Sequence, residues 1–184
     1  MTTYSFCPVC GGGPLTAGAP EIPPADVLVC GACGFLFWQN SKPAVGAIIT
    51  RRLAHAWHVL LTRRGIEPFK GMWDAPGGFL GNGELPEAGL VRELREELGV
   101  EISNPRFLTS HVDQYPREDV AEQARFVLSL FYRCEISEDA ELVPADDIVE
   151  ARWFPLDSPP ADLAFDANQK ALDALRRSIE STKV

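Results

Sequence analysis

Residues 77–100 read GGFLGNGELPEAGLVRELREELGV, and this stretch decides which fold and which chemistry the rest of the chain must support. Its first half is a loop with four glycines, and its second half has the residue pattern of a helix. Pro86 suits an early helical position, and Gly99 suits the residue that ends a helix. The sequence therefore predicts one helix between these two residues.

The predicted helix has an aliphatic side and an acidic side. Three aliphatic residues fall on one face at helical spacing, and three glutamates fall within about a 100° arc opposite them. The aliphatic residues are Val91, Leu94 and Leu98, and the glutamates are Glu93, Glu96 and Glu97. Like charges one turn apart repel each other. A divalent cation would offset this repulsion, and Mg²⁺ prefers oxygen ligands.

A solvated acidic helix surface, neutralised by Arg92 and Arg95, is the simpler alternative. That alternative leaves the upstream glycines and Glu84 unexplained. Convergent carboxylates beside a loop that lets a ligand approach the backbone indicate metal-assisted chemistry on a phosphoanhydride.

The same stretch resembles the Nudix box, G-x5-E-x7-R-E-U-x-E-E-x-G-U, in which U is aliphatic. The defined positions are filled by Gly78, Glu84, Arg92, Glu93, Leu94, Glu96, Glu97, Gly99 and Val100. The flanking segments GMWDAPGG and ARWFPLD are also similar to those of the family, so the resemblance covers roughly residues 42–175.

The resemblance implies roles for the residues of the box. Glu96 and Glu97 would be the principal ligands of Mg²⁺ or Mn²⁺, and the backbone carbonyl of Gly77 would join the metal shell. Glu93 would be a third ligand or would help to deprotonate the attacking water. Arg92 would orient the glutamates by charge-assisted hydrogen bonds.

Two further expectations concern acids near the box. Glu84 would pair with structural groups where the loop meets the helix. Many family members add an acid from outside the box, and the candidates here are Glu118, Asp119 and Glu122, with Glu122 preferred. An ordinary solvated loop is the alternative for each of these three.

The family resemblance implies hydrolysis of a nucleoside diphosphate linked to another moiety, such as ADP-ribose, FAD or an NADH-like dinucleotide. The NADH pyrophosphatases carry the motif S-Q-P-W-P-F-P-x-S after the box, and the corresponding TSHVDQYPREDV lacks the full pattern. Hydrolysis of nucleoside triphosphates, a non-catalytic nucleotide-sensing module and an isomerase are the alternatives. Candidate substrate contacts are Arg63, Arg64, Lys70, Phe69, Trp73 and Tyr115, each of which also has an ordinary packing or surface interpretation.

Four of the five cysteines form two CxxC pairs, which predict a structural Zn²⁺ site. The pairs are Cys7 with Cys10 and Cys30 with Cys33, while Cys134 stands alone in a predicted strand. Disulfides or redox-active pairs are the alternative. We therefore expect a zinc ribbon over residues 1–37 and a Nudix domain over residues 42–184. The ribbon has no Lys or Arg, so it is expected to stabilise the domain or bind protein rather than nucleic acid.

The order of the predicted elements indicates an α/β/α sandwich around a mixed sheet. Strands are predicted at 44–50, 57–64, 106–112, 124–136 and 149–157, and a second helix at 166–182.

The bulk properties of the 184-residue chain narrow its location and its partners. Its net charge of −9 disfavours non-specific binding of nucleic acid. No apolar run approaches the roughly 18 residues of a membrane span, and no signal-peptide pattern begins the sequence. We expect a cytoplasmic protein with a small-molecule nucleotide substrate, and a homodimer is possible.

Overall fold

The computed structural model describes residues 4–18, 27–115 and 125–181, without the side chains of Tyr115 and Arg125. Within these residues the strands are β1 (Leu15–Ala17), β2 (Val27–Cys30), β3 (Leu36–Trp38), β4 (Lys42–Leu53), β5 (Ala56–Arg64), β6 (Trp73–Asp74), β7 (Ile102–Tyr115), β8 (Arg125–Ile136) and β9 (Ile148–Pro155). The helices are α1 (Pro86–Leu98) and α2 (Asp166–Ser181). Neither described helix is long and apolar enough to cross a membrane.

The chain forms two compact units, and the smaller one contains the residues up to Ser41. Its three strands pair antiparallel in the order β1-β2-β3. Leu15 and Leu28 pack with two of the cysteines in a small core. The strand β1 lies in a stretch rich in Gly, Pro and Ala, and pairing with β2 gives its backbone hydrogen-bond partners. The predicted domain bounds themselves stay a prediction.

The larger unit is built on a six-stranded sheet in which parallel and antiparallel pairs are mixed. Its strand order is β6-β5-β4-β8-β7, with β9 pairing β5. β4 is parallel to β8 and antiparallel to β5. Residues 45–49 of β4 are buried without interruption, as expected for a strand covered on both faces.

The two helices cover opposite faces of this sheet. Ile48 packs in the core that contains Leu172 of α2, whereas Ile49 packs in the core that contains Leu94 of α1. This alternation follows from the period of two along a strand. The predicted α/β/α sandwich with a mixed sheet is confirmed.

The helix α1 confirms the predicted bounds and corrects the predicted faces. It begins at Pro86 and ends at Gly99, whose φ of 69° is left-handed and whose N–H caps the last turn. The buried stripe runs through Leu90, Leu94, Glu97 and Leu98, while Val91 is only half-buried. Glu97 therefore lies on the same stripe as the leucines, seven residues after Leu90, and not opposite them.

The buried stripe can be tested by truncating one leucine. Leu94→Ala removes a side chain with no exposed area, and a cavity of this kind costs about 2–5 kcal/mol of unfolding free energy. Val91→Ala, on the same helix but half-buried, should cost clearly less. Urea unfolding of both variants measures the difference, and equal losses would contradict the placement of α1.

Candidate metal and catalytic site

The glycine loop after β6 packs directly on the central strand β4. The N–H of Ala47 donates to the carbonyl of Pro76 at 2.8 Å, and the N–H of Val45 donates to the carbonyl of Gly78 at 2.9 Å. Gly77 lies between them with a φ of 143°, and a Cβ there would lie 2.2 Å from the carbonyl oxygen of Val45. Only glycine fits this position without moving the backbone.

The carbonyl of Gly77 is left available by this arrangement. Among the described residues, the backbone hydrogen bonds of the loop use the carbonyls of Pro76 and Gly78 and not the one between them. A backbone oxygen without a protein partner beside a set of carboxylates is a donor suited to a hard cation.

Glu97 is the buried carboxyl of the site, with 3% of its surface exposed. The N–H of Gly77 donates to its Oε2 at 2.8 Å. Burial raises the pKa of Glu97 to about 9 against the effect of this hydrogen bond, and the charges of Asp147, Glu93 and Asp74 add to the rise. Without a cation the carboxyl therefore holds its proton at neutral pH, because no ion pair among the described residues compensates a negative charge there.

Arg92 joins the other carboxylates of the box. Its Nη1 donates to Glu93 Oε1 and to Glu96 Oε2, both at 2.9 Å, and its Nη2 also reaches the carbonyl of Phe79 at 3.2 Å. Its Nε and Nη2 bind the two oxygens of Glu84 at 2.8 Å each. The pKa of Arg92 is raised, chiefly by its hydrogen bonds to Glu84. The guanidinium thus fixes three side chains at once, using the planar fork that lysine lacks.

Glu84 is fixed from two sides at the point where the loop meets the helix. Besides the two bonds from Arg92, its Oε2 accepts the N–H of Gly81 at 2.7 Å. The hydrogen bonds from Arg92 and then from Gly81 lower the pKa of Glu84 to about 2. Its oxygens serve the loop–helix junction, where the sequence placed Glu84.

Glu93 and Glu96 differ in their surroundings. Glu93 lies against the backbone of Gly78, where a Cβ would come within 2.7 Å of its carboxyl carbon. Burial raises the pKa of Glu93 despite its contact with Arg92. Glu96 is half exposed and is held only by the i,i+4 pair with Arg92. The three glutamates thus offer one buried, one half-buried and one exposed carboxylate along one helix.

Two acids from outside the box come close to these glutamates, and sequence reasoning missed both. Asp147, just before β9, acts on the pKa values of Glu93 and Glu97, and Asp74 in β6 acts on Glu97. Asp74 could have been noticed because it stands three residues before Gly77 in WDAPGG. Asp147 is brought to the site by tertiary contacts, which include the hydrogen bond from the Ala145 N–H to the Glu97 carbonyl at 2.9 Å. The acids that the sequence favoured, Glu118, Asp119 and Glu122, lie outside the described residues.

The predicted substrate contacts are mostly engaged with the protein itself. Arg64 pairs with Asp74 at 3.0 Å and donates to the carbonyl of Pro68 at 2.8 Å. Arg63 donates to the carbonyl of Gly71 at 2.8 Å. The contact of both arginines with substrate stays a prediction.

Two of the three aromatic residues that could stack on a substrate base pack against other aromatic rings of the protein. Trp73 is buried and stacks edge-on against Phe154 at 4.7 Å, and Phe69 does the same against Phe165 at 5.2 Å. The side chain of Tyr115 lies outside the described part of the chain.

The four ribbon cysteines form one cluster in the smaller unit, with all sulfurs within 4.8 Å of one another. Cys7 Sγ lies 3.7 Å from Cys33 Sγ, and Cys10 Sγ lies 3.7 Å from Cys30 Sγ. A disulfide needs about 2.05 Å, whereas sulfurs at about 2.3 Å around a tetrahedral zinc ion lie about 3.8 Å apart. The spacing therefore fits a shared metal ion and not two disulfides.

The backbone of the knuckles also favours thiolates. The N–H of Val9 donates to Cys7 Sγ and that of Gly12 to Cys10 Sγ, both at 3.4 Å. Hydrogen bonds from the backbone lower the pKa of Cys30 to about 7. At Cys33 the backbone hydrogen bond from Phe35 also lowers the pKa, but the contact with Cys10 and burial outweigh it and raise this pKa to about 12. The lone Cys134 is buried, and burial raises the pKa of its thiol to about 12, so it is an inert packing residue.

Comparison with known proteins adds relatives of two kinds. Over 162 residues, 88% of this chain and 51% of the relative, the chain is 30% identical to the "NAD-capped RNA hydrolase NudC" of Stutzerimonas stutzeri. It is 35% identical to the "ADP-ribose pyrophosphatase" of Methanocaldococcus jannaschii over 120 residues, 64% of this chain and 66% of the relative. The chain spans about half the length of the NudC proteins that it matches.

A solved structure agrees with the fold. The NUDIX hydrolase from Nitrosomonas europaea superposes with a TM-score of 0.72 at 26% identity, covering 96% of this chain and 91% of the other. The family model described as NUDIX domain matches residues 40–175, which contain the glycine loop, α1 and the acids before β9. The predicted resemblance is thereby confirmed, and the chain belongs to the NUDIX family.

Proposed function

We propose that the chain is a divalent-metal-dependent pyrophosphohydrolase that cleaves the phosphoanhydride of a nucleoside diphosphate linked to another moiety. The observation that carries this proposal is the buried Glu97, bonded at one oxygen to the Gly77 N–H and surrounded by further acids. Arg92 pairs with Glu93 and Arg64 pairs with Asp74, whereas no described ion pair involves Glu97 itself. A buried carboxyl left without a cationic partner is suited to a ligand with positive charge.

The donor set has the oxygen chemistry that suits Mg²⁺ or Mn²⁺, although among the described residues only the four ribbon cysteines already form a compact cluster of side-chain ligands. Oxygen donors would come from Glu96, Glu97, Glu93, the Gly77 carbonyl and Asp147, which is the type of ligand that hard cations select. The hydrogen bond from Gly77 occupies Oε2 of Glu97 and leaves Oε1 for a cation. When bound, the metal supplies Lewis acidity toward the phosphates and lowers the pKa of water. Asp147 takes the place in this proposal that the sequence had given to Glu122.

The protein's own residues would position the metal ligands and accept the proton of the attacking water. Arg92 holds both Glu93 and Glu96 through hydrogen bonds from its Nη1. It would not need to contact the substrate. Two roles are open to Glu93, a third ligand or the acceptor of the water proton. Its raised pKa suits proton acceptance, since a base is most effective when its pKa approaches the working pH.

The names of two relatives favour one substrate class. NAD and ADP-ribose share an adenosine joined through a pyrophosphate to ribose, and these compounds occur in the names of the NudC and archaeal relatives. We therefore propose ADP-ribose or a dinucleotide such as NADH or FAD as the substrate. The sequence lacks the full NADH pyrophosphatase motif, so it does not select one of these compounds. The complete glutamate set argues against a module that only senses nucleotides.

We further propose that Zn²⁺ fills the cysteine cluster and has no part in hydrolysis. Four protein ligands leave no open position for substrate. The expected cytoplasmic location and the possible homodimer stay predictions.

The proposed activity predicts a substrate-dependent and Glu97-dependent product. With Mg²⁺, ADP-ribose, NADH or FAD should yield AMP and the complementary phosphate compound, whereas nucleoside triphosphates should be poor substrates. Glu97→Gln should lower turnover by at least about 100-fold, since a direct ligand should matter no less than outer-shell partners. Chromatography of the products measures both effects.

The matched control is Glu101→Gln, which changes an exposed glutamate just beyond α1 that pairs only with Arg95. This variant should keep full activity. Undiminished turnover in Glu97→Gln would contradict the metal-site assignment, and product from triphosphates alone would contradict the substrate class.

A second prediction concerns pH and metal together. The pKa of Glu97 is about 9 in the folded protein against an ordinary 4.5, so the folded state binds more protons than the unfolded state between these values. The contribution of Glu97 to the free energy of unfolding is fully present below about pH 4.5 and is lost as pH rises through about 9. Thermal unfolding in chelator should therefore show a falling midpoint over this range, and Mg²⁺ should raise the midpoint most at high pH.

Glu97→Gln serves as the control because its amide does not titrate. It should flatten this part of the pH dependence and reduce the stabilisation by Mg²⁺. A wild-type profile in chelator that has the same slope as that of Glu97→Gln would overturn the assignment.

A third prediction concerns the ribbon. Elemental analysis of the purified protein should find one zinc per chain. Cys30→Ser should lose the metal because it removes a buried ligand of the cluster, while Cys134→Ser should retain it. Zinc-free protein with four reactive thiols would contradict the proposed site.

A further inference from the structure

A buried polar array lies just before the glycine loop, and the proposed chemistry does not use it. Both carboxylate oxygens of Asp74 in β6 are occupied by protein donors. Nη1 of Arg64 donates to Oδ2 at 3.0 Å, and Nδ2 of Asn168 donates to Oδ1 at 2.8 Å. Asn168, in the first turn of α2, is only 2% exposed. The array therefore links β5, β6 and α2.

The segment before α2 also holds β6 through its backbone. The N–H of Trp73 donates to the carbonyl of Asp162 at 2.9 Å, and the N–H of Ala164 donates to the carbonyl of Trp73 at 2.8 Å. On its other side β6 pairs with β5. The strand that leads into the glycine loop is thus fixed between β5 and the C-terminal part of the chain.

Only two residues separate Asp74 from Gly77. Ala75 is buried in the core that α2 covers, and the carbonyl of Pro76 is held by β4. The Gly77 peptide, whose N–H bonds Glu97 and whose carbonyl faces no described protein donor, therefore lies only three positions beyond a side chain that the array fixes. The array anchors this segment on the side of α2, while β4 anchors it on the other side.

We propose that Asn168 and Arg64 are positioning residues that hold the Gly77 peptide in place for the metal through Asp74. The inference rests on the proposed metal-dependent function. Buried ion pairs often contribute little net stability compared with well-packed apolar side chains, so the value of this array lies in orientation. Arg64 then acts on the backbone of the loop, instead of on substrate phosphates.

The test compares Mg²⁺ dependence and substrate dependence in variants of Asn168. Asn168→Ala should weaken Mg²⁺ binding about tenfold, both in the Mg²⁺ midpoint of activity and in the dissociation constant measured by calorimetry without substrate. This is the low end of the roughly 10- to 100-fold effect of residues that support metal ligands. The KM for substrate at saturating Mg²⁺ should change much less, because the array does not face the substrate. Asn168→Asp should be worse, since it places a second carboxylate against Asp74.

The double variant Asp74→Asn with Asn168→Asp provides a rescue. The new amide in β6 can accept from Arg64 and donate to the new carboxylate on α2, which restores both hydrogen bonds with exchanged partners. The double variant should recover most of the Mg²⁺ affinity lost in Asn168→Asp alone. If Asn168→Ala does not fold, Asn168→Ser and the double variant give the same comparison.

The matched control is a variant of Leu175, which is fully buried on α2 in the same core and lies two turns beyond Asn168. Of Leu175→Ala and Leu175→Val, the variant used is the one whose melting temperature is nearer to that of Asn168→Ala. The control should leave the Mg²⁺ midpoint unchanged. If it raises the midpoint equally, or if the double variant shows no recovery, the positioning role is overturned. Wild-type protein without Mg²⁺-dependent turnover would instead refute the proposed function.

Discussion

The hydrogen bond from the Gly77 N–H to the Glu97 carboxylate is the contact on which the rest of the site depends. It exists because the glycine loop packs on β4 closely enough to exclude any Cβ at Gly77. The sheet holds one side of this contact and α1 holds the other. The leucine stripe that anchors α1 therefore also fixes the depth at which Glu97 is buried, so that core packing and the proposed metal site share one helix face.

Arginine side chains pair with the acids that surround this contact, whereas Glu97 itself has no cationic partner among the described residues. Arg92 binds Glu84, Glu93 and Glu96, and Arg64 binds Asp74. Among the described residues, no ion pair involves Glu97, and its charged neighbours are negative. Ionising a carboxyl in such surroundings is costly unless a cation compensates it, so the proposed metal would relieve the repulsion among the acids of this helix.

Much of this could be predicted from local sequence, and the rest could not for a physical reason. Pro86 and Gly99 bound α1 because capping is a local property, and the spacing of the CxxC pairs predicted the cysteine cluster. The burial of Glu97 was missed because the predicted face included Val91, whereas the sheet selects the stripe through Leu90. Asp147 is brought toward the glutamates by the pairing of β9 with β5 and by the hydrogen bond from the Ala145 N–H to the Glu97 carbonyl, which no local pattern reports.

The central claim is that a divalent cation binds between the Gly77 carbonyl and the glutamates of α1. Anomalous diffraction from crystals of the wild-type protein grown with Mn²⁺ tests it most directly. The account predicts a manganese peak in contact with the Gly77 carbonyl oxygen and with Oε1 of Glu97. Manganese bound only at exposed acids elsewhere, with no peak beside Oε1 of Glu97, would contradict this binding site.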